Sequence, residues 1–365
     1  MSSEVRRIDQ GRDAAPTWAI ARPSADRTFS PPACYAVTAK LEGTFKVEST
    51  TSPAAREIGP QQVPFLRAHA VINSRSGAAA SKSPGEIEDI LASALAVGAR
   101  KLIVDVVEPE QVEAKLKQAA GGDADAIIVG GGDGTVRTAA SLLLNSDKRL
   151  GILPLGTLNR LARDLGIPLD MQAAALALAK ADIKAIDVAM VQDRVFLCNS
   201  MIGLTPELTE QRQRLRGRPI GERLAGYADV LLRLWRSRRG LVLTVEDAKK
   251  IRLIRALSLV VSNNCYAEKP GLVPRRPQLD LGRLGLYVSK HRRGSALLGV
   301  LLKVTLGRWR SDHNIEHVRG RRIVIDSTLP RIKTSNDGEI ETLAFPLTYS
   351  IRPLALQVLV PPSSA

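Results

Sequence analysis

From residue 69 onward the apolar and polar positions follow two periods in turn. Short continuous apolar runs at 68–73, 102–106, 127–129 and 151–154 read as strands covered on both faces. Between them, apolar residues recur every three or four positions. This predicts helices over 84–97, 108–120, 135–144, 158–165 and 171–181. Strands alternating with helices imply a parallel, doubly wound α/β sheet, which binds its ligands at the carboxyl ends of its strands. The polar, glycine-containing loops 73–77, 130–135 and 155–159 follow such ends, so all three are expected to face one crevice.

After residue 183 the period shortens. Strand-like runs at 186–191, 194–199, 241–245, 256–261, 284–289, 322–326, 331–334 and 354–360 predict a mainly antiparallel, β-rich second domain. Two helices interrupt it. One, over 221–239, carries Leu224, Tyr227, Leu231, Leu234 and Trp235 on one face and arginines on the other. The second, over 295–309, is apolar nearly all round and too short to span a bilayer, which suits a buried or interfacial segment. Residues 1–65 lack sustained periodicity and are rich in Ser, Thr, Pro, Ala and Arg, the pattern of a mostly disordered tail. The expected organisation is a tail (1–65), an α/β domain (66–184) and a β-rich domain (185–365).

Charge changes this picture. The 365-residue chain carries a net charge of +15, and residues 211–255 hold thirteen Lys/Arg against four Asp/Glu. An anionic partner follows: nucleic acid, an anionic membrane surface or a phosphorylated ligand. Aromatics make up only 4% of the chain, which weighs against base-stacking platforms and hence against nucleic acid. Three distant cysteines make a disulfide framework unlikely and fit a reducing compartment. His313 and His317 have helical spacing but no third ligand type near them, so a solvated or core role is expected rather than a metal site.

Residues 126–136 carry the candidate chemistry. Strand 127–129 runs into Gly130, Gly131 and Gly132, then Asp133-Gly134-Thr135 opens a helix. Such a turn offers free N–H groups to phosphate. Asp133 would repel that anion unless a cation lay between them, so a nucleotide-phosphate site with Mg²⁺ is the simplest functional reading. A turn merely stapled by a capping Asp is the structural alternative.

Three ordered motifs resemble a known family: Gly131 to Thr135, Leu153-Pro154-Leu155-Gly156-Thr157-Leu158-Asn159 with 162–168 behind it, and Asn336-Asp337-Gly338-Glu339. Together with Ile72-Asn73-Ser74-Arg75-Ser76-Gly77 and the ending 349–361, they resemble the diacylglycerol kinase catalytic-domain family across about residues 68–362. The resemblance implies a two-domain kinase of a lipid hydroxyl, diacylglycerol or sphingoid, using ATP and Mg²⁺. Its nucleotide domain would be of the NAD-kinase and phosphofructokinase kind. Asn73, Ser76 and Gly77, Gly131, Gly132, Asp133, Gly134 and Thr135, and Gly156, Thr157 and Asn159 would hold the nucleotide. Asp337 would be the general base, assisted by Glu339. Asp133, Asp164 and Asp337 form the expected metal set.

Two of these motifs are followed by departures from the family pattern. Arg137 and Thr138 stand where many members have Asn-Glu, and Arg160 stands where many have Asp. The implied enzyme is cytoplasmic and peripheral to the membrane, with the basic residues of 211–255 on anionic lipid. A homodimer is left open. The alternatives are an NAD-kinase or phosphofructokinase-like enzyme of a soluble substrate, and a catalytically impaired membrane-binding homologue.

Overall fold

The computed structural model describes residues 65–95, 99–203, 241–247, 251–271, 274–291 and 296–362, with the single positions 206, 221, 222 and 226. The tail, the helix expected at 221–239 and most of the basic stretch lie outside the described residues.

Strands β1 (Phe65–Asn73), β2 (Ala99–Val107), β3 (Ala126–Gly131) and β4 (Arg149–Pro154) pair in parallel in the order β2-β1-β3-β4. Every residue of β3 is buried, as its unbroken apolar run requires. The crossovers are α1 (Pro84–Leu95), α2 (Pro109–Gly121) and α3 (Asp133–Leu143). α1 opens on a reciprocal cap: the Ser83 N–H donates to Glu86 and the Glu86 N–H donates to the Ser83 hydroxyl. It buries Ile87, Leu91, Ala94 and Leu95, one stripe at helical spacing. α4 (Arg160–Asp164) and α5 (Met171–Ala179) follow β4.

The later strands sort into two sheets. β7 (Asn199–Gly203), β10 (Ser258–Asn263), β11 (Leu284–Ser289), β12 (Ile315–Gly320), β14 (Arg331–Asn336) and β15 (Glu339–Ala344) form an antiparallel sheet ordered β12-β11-β10-β7-β14-β15. β5 (Asp182–Val191), β6 (Arg194–Phe196), β8 (Leu241–Asp247), β9 (Ile251–Ala256), β13 (Arg322–Asp326) and β16 (Leu347–Val360) join the first sheet instead. That sheet runs β2-β1-β3-β4-β16-β13-β8-β9, with β5 paired to β16 and β6. A division at residue 184 therefore does not divide the sheets: the last strand of the chain lies directly beside β4. Side chains from both sheets, including Ile202, Leu259, Leu286, Leu243, Ile325 and Tyr349, form one apolar layer.

β16 has two halves. Tyr349 to Arg352 and Leu356 to Val360 both pair with β5, but the register shifts between them. Leu354 sits in that break at φ 50°. The buried carboxylate of Asp187 holds the break, accepting the N–H of Leu354 at 2.9 Å and of Gly282 at 2.6 Å.

The run expected at 256–261 as one strand is two, β9 and β10, which lie in different sheets and turn at Leu257. β12 and β15, dense in charged and polar residues, have no apolar run to announce them. The helix expected over 295–309 is α6 (Ala296–Thr305), followed by a 3₁₀ turn at Trp309–Ser311.

Candidate active site

The three loops converge as their glycines demand. Gly77 has φ +21°, and a Cβ there would lie 2.3 Å from the Leu155 carbonyl oxygen. A Cβ on Gly156 would lie 2.5 Å from the Cα of Gly132. Only glycine permits backbones this close, so loops 73–77, 130–135 and 155–159 share one crevice. Asn159 holds the third loop from inside. At φ 48° its amide oxygen accepts the Gly156 N–H at 2.9 Å, and its amide nitrogen donates to the carbonyls of Pro154 and Gly156. Its side chain therefore shapes the loop. Asn73 acts alike, accepting the Arg75 N–H at 3.0 Å. Ser76 is buried, and Thr157 is exposed at the loop surface.

Asp133 is the first residue of α3, where the helix N-terminus favours a carboxylate. Its Oδ1 accepts the backbone N–H of Arg160 at 2.7 Å. Burial nevertheless raises its pKa above the ordinary carboxylate value; the Arg160 N–H works against this, and the charge of Asp337 adds to it.

Asp337 and Gly338, at φ 52° and 96°, make the tight turn between β14 and β15. The Asp337 carboxylate is buried and takes three backbone N–H groups: Leu197 at 2.6 Å, Cys198 at 2.8 Å and Asn199 at 2.9 Å. Glu339 is exposed on the same turn and reaches back to the glycine loop, with Oε1 2.9 Å from where a Gly134 Cβ would be. Arg137 fastens the turn to α3, donating to Glu341 at 3.0 Å.

Asp164 does not join Asp133. Its carboxylate pairs with Arg276 at 2.6 Å, both side chains almost fully buried, and it also accepts the Arg276 backbone N–H. An unpaired Arg276 would be a buried charge, so drawing Asp164 away from it would be costly. Among the described residues no group of three or more His, Cys, Asp or Glu side chains gathers as a metal site.

Sequence reasoning left several participants unseen. A cavity of about 270 Å³ reaches Asn199 and is walled by Met201, Val260, Tyr266, Tyr287, Val300 and Trp309 among others. Among the described residues its charged lining consists of Arg160, Arg276 and Asp164. Asn199 is the hub: its N–H meets Asp337, its Oδ1 accepts Arg160 Nη1 at 3.1 Å, and its Nδ2 donates to the Tyr266 hydroxyl at 2.7 Å. Nothing in the local pattern around Asn199 or Arg276 marks either residue.

A phosphate-type crevice beside an apolar cavity, with carboxylates from two sheets between them, narrows the families that fit. Residues 67–191 match the diacylglycerol kinase catalytic domain, and residues 221–360 match the YegS C-terminal NAD kinase beta sandwich-like domain. Residues 67–191 thus belong to the diacylglycerol kinase catalytic-domain family. Within it, a diacylglycerol kinase of Mycobacterium tuberculosis is 28% identical over 71% of this chain and 85% of its own length. A protein of Synechocystis sp. is 26% identical, and the match spans 70% of this chain and 60% of that one. A crystal structure of a diacylglycerol kinase from Bacillus anthracis superposes with a TM-score of 0.61 at 19% identity, covering 82% of this chain and 98% of that one. The family is one of lipid kinases, with ATP implied as the phosphate donor, and its two-domain architecture is the α/β-plus-β-sandwich arrangement described above.

Proposed function

We propose that this chain transfers the γ-phosphate of ATP to the hydroxyl of a membrane lipid, a diacylglycerol or sphingoid alcohol, with Mg²⁺. The observation that carries this reading is the cavity: it is largely apolar and ends at Asn199, whose N–H is bonded to Asp337. A soluble sugar phosphate or dinucleotide needs no such chamber.

ATP would lie in the glycine crevice, its phosphates on backbone N–H groups of Gly131 to Thr135 and of loops 73–77 and 155–159. Asp337 would take the hydroxyl proton as the lipid oxygen bonds to the γ-phosphorus and the bond to the β-phosphate oxygen breaks, releasing ADP. Oδ2 of Asp337 accepts a single N–H and so has a second lone pair for that proton. Asp133 and Glu339 suit Mg²⁺, because both are hard oxygen donors and Asp133 carries repulsion from Asp337 that a cation would relieve. Bound there, the ion would neutralise charge on the transferring phosphate. Asp164, engaged by Arg276, is not part of that set.

Mg²⁺-dependent ATP turnover on mixed micelles of diacylglycerol or long-chain bases tests the reading. Nucleotide binding with no turnover on any lipid would sink it, and phosphorylation of NAD or a sugar phosphate would replace it. The thirteen basic residues of 211–255 support a peripheral position on anionic membrane at the cytoplasmic face. Among the described residues no helix is long and apolar enough to cross a membrane.

A further inference from the structure

Arg160 stands where the cavity meets the catalytic carboxylates. Its backbone N–H is on Asp133 and its Nη1 on Asn199, yet its Nε–H is buried with no acceptor. A buried guanidinium N–H without a partner is costly. Among the described residues of the lining, Asp164 is the acidic group, and it is already paired with Arg276 at 2.6 Å. Among the described residues the charged lining is thus two guanidiniums and one carboxylate, a formal +1. Asp337 takes three backbone N–H groups, and Asp133 takes that of Arg160.

We propose that Arg160 selects the acceptor lipid, taking one with an oxygen acceptor beside its hydroxyl and rejecting one with an ammonium there. This rests on the lipid-kinase reading above and chooses between the two lipid classes it leaves. An ester carbonyl or a headgroup phosphate oxygen would satisfy the guanidinium. The protonated amine of a sphingoid base would meet the like charge of the Arg160 guanidinium.

The test compares dioctanoylglycerol, dioctanoylphosphatidylglycerol and sphingosine as acceptors for the full chain in one type of neutral micelle, with ATP and Mg²⁺. Wild type should favour at least one glycerolipid over sphingosine by about tenfold or more in kcat/KM, and Arg160→Gln should lose about tenfold on that glycerolipid. The KM for ATP should not move, the glycerolipid-to-sphingosine ratio should fall toward one, and Arg160→Lys should recover part of it. A purely structural Arg160 would lower both lipids together and leave the ratio alone. The two glycerolipids distinguish a carbonyl from a phosphate as the acceptor held. Sphingosine used as well as both glycerolipids, or a ratio unchanged in Arg160→Gln, overturns the proposal. Should no lipid be phosphorylated, the kinase reading falls separately, and lipid binding decides this one. Trp309 lines the cavity, so its fluorescence, with Trp309→Phe as the blank, reports occupancy. Equal binding of dioctanoylglycerol, dioctanoylphosphatidylglycerol and sphingosine, or no weakening of glycerolipid binding in Arg160→Gln, would then be fatal.

Discussion

Replacing Asp337 with alanine strands three backbone N–H groups at once, those of Leu197, Cys198 and Asn199. Each buried donor left without an acceptor costs about 1–3 kcal/mol. Asp337→Ala should therefore melt at a clearly lower temperature as well as lose transfer. Asp337→Asn keeps an acceptor oxygen and should lose transfer with a smaller fall in melting temperature, nucleotide affinity being retained. Asp133 behaves in the opposite way. Its folded pKa lies above the ordinary 3.8, mainly through burial. Between those values the folded state binds more protons than the unfolded one, so stability falls as pH rises through the window. At neutral pH the ionised Asp133 is a cost, and Asp133→Asn should raise the melting temperature at pH 7 while abolishing turnover. At this scale the motif residues were legible because phosphate chemistry restricts which residues can stand there. The partnership of Asp164 with Arg276 was not legible: 112 residues separate the two, and either charge alone reads as a solvated one.

The apolar pattern of α6 resolves once its two sides are distinguished. Val300 and Val304, four residues apart, line the cavity, while Leu302 and Leu306 face outward at 60% and 55% exposure. A helix with apolar surroundings on one side and apolar residues on the other reads as continuous, and periodicity cannot separate the two. β12 is hidden for the reverse reason, since none of its residues is fully buried. Its His317 stacks on Tyr287 at 4.9 Å, with Trp309 edge-on. Burial, with Arg319 and Arg310 adding to it, lowers the His317 pKa from 6.5 to about 4. Across that window the unfolded chain binds the extra proton, so this residue's contribution to stability is full above pH 6.5 and is lost as pH falls toward 4. His317→Phe should flatten that acid loss, seen as a smaller drop in melting temperature between the two ends of the window. The loop carrying Arg276 is fixed to α4 by a buried ion pair, and Arg276→Ala should cost about 3–5 kcal/mol in denaturant unfolding.

For the whole molecule, charge and topology make separate demands. Thirteen cationic residues within 211–255 should bind anionic vesicles at roughly 1 kcal/mol for each charge near the surface. That attraction is screened over about 8 Å at physiological salt. Sedimentation with phosphatidylserine vesicles should therefore weaken steeply with added salt and vanish on neutral vesicles. The layered α/β order was legible because it follows from local periods. The sharing of one sheet between early and late strands was not, because a strand's period says which faces are buried and not which strand lies beside it.

That sharing sets an order of events in the cell. Leu150 on β4 pairs with Val358, so the nucleotide half lacks its fifth strand until β16 arrives. During synthesis β4 waits with an open edge, and Leu178 of α5 has yet to be covered by Leu356 and Leu359 of the same core. The crevice for ATP thus rests on an unfinished sheet while the ribosome still holds the chain. A chain that stopped short of β16 would yield not a smaller kinase but a sticky half-sheet, a substrate for chaperones and proteases.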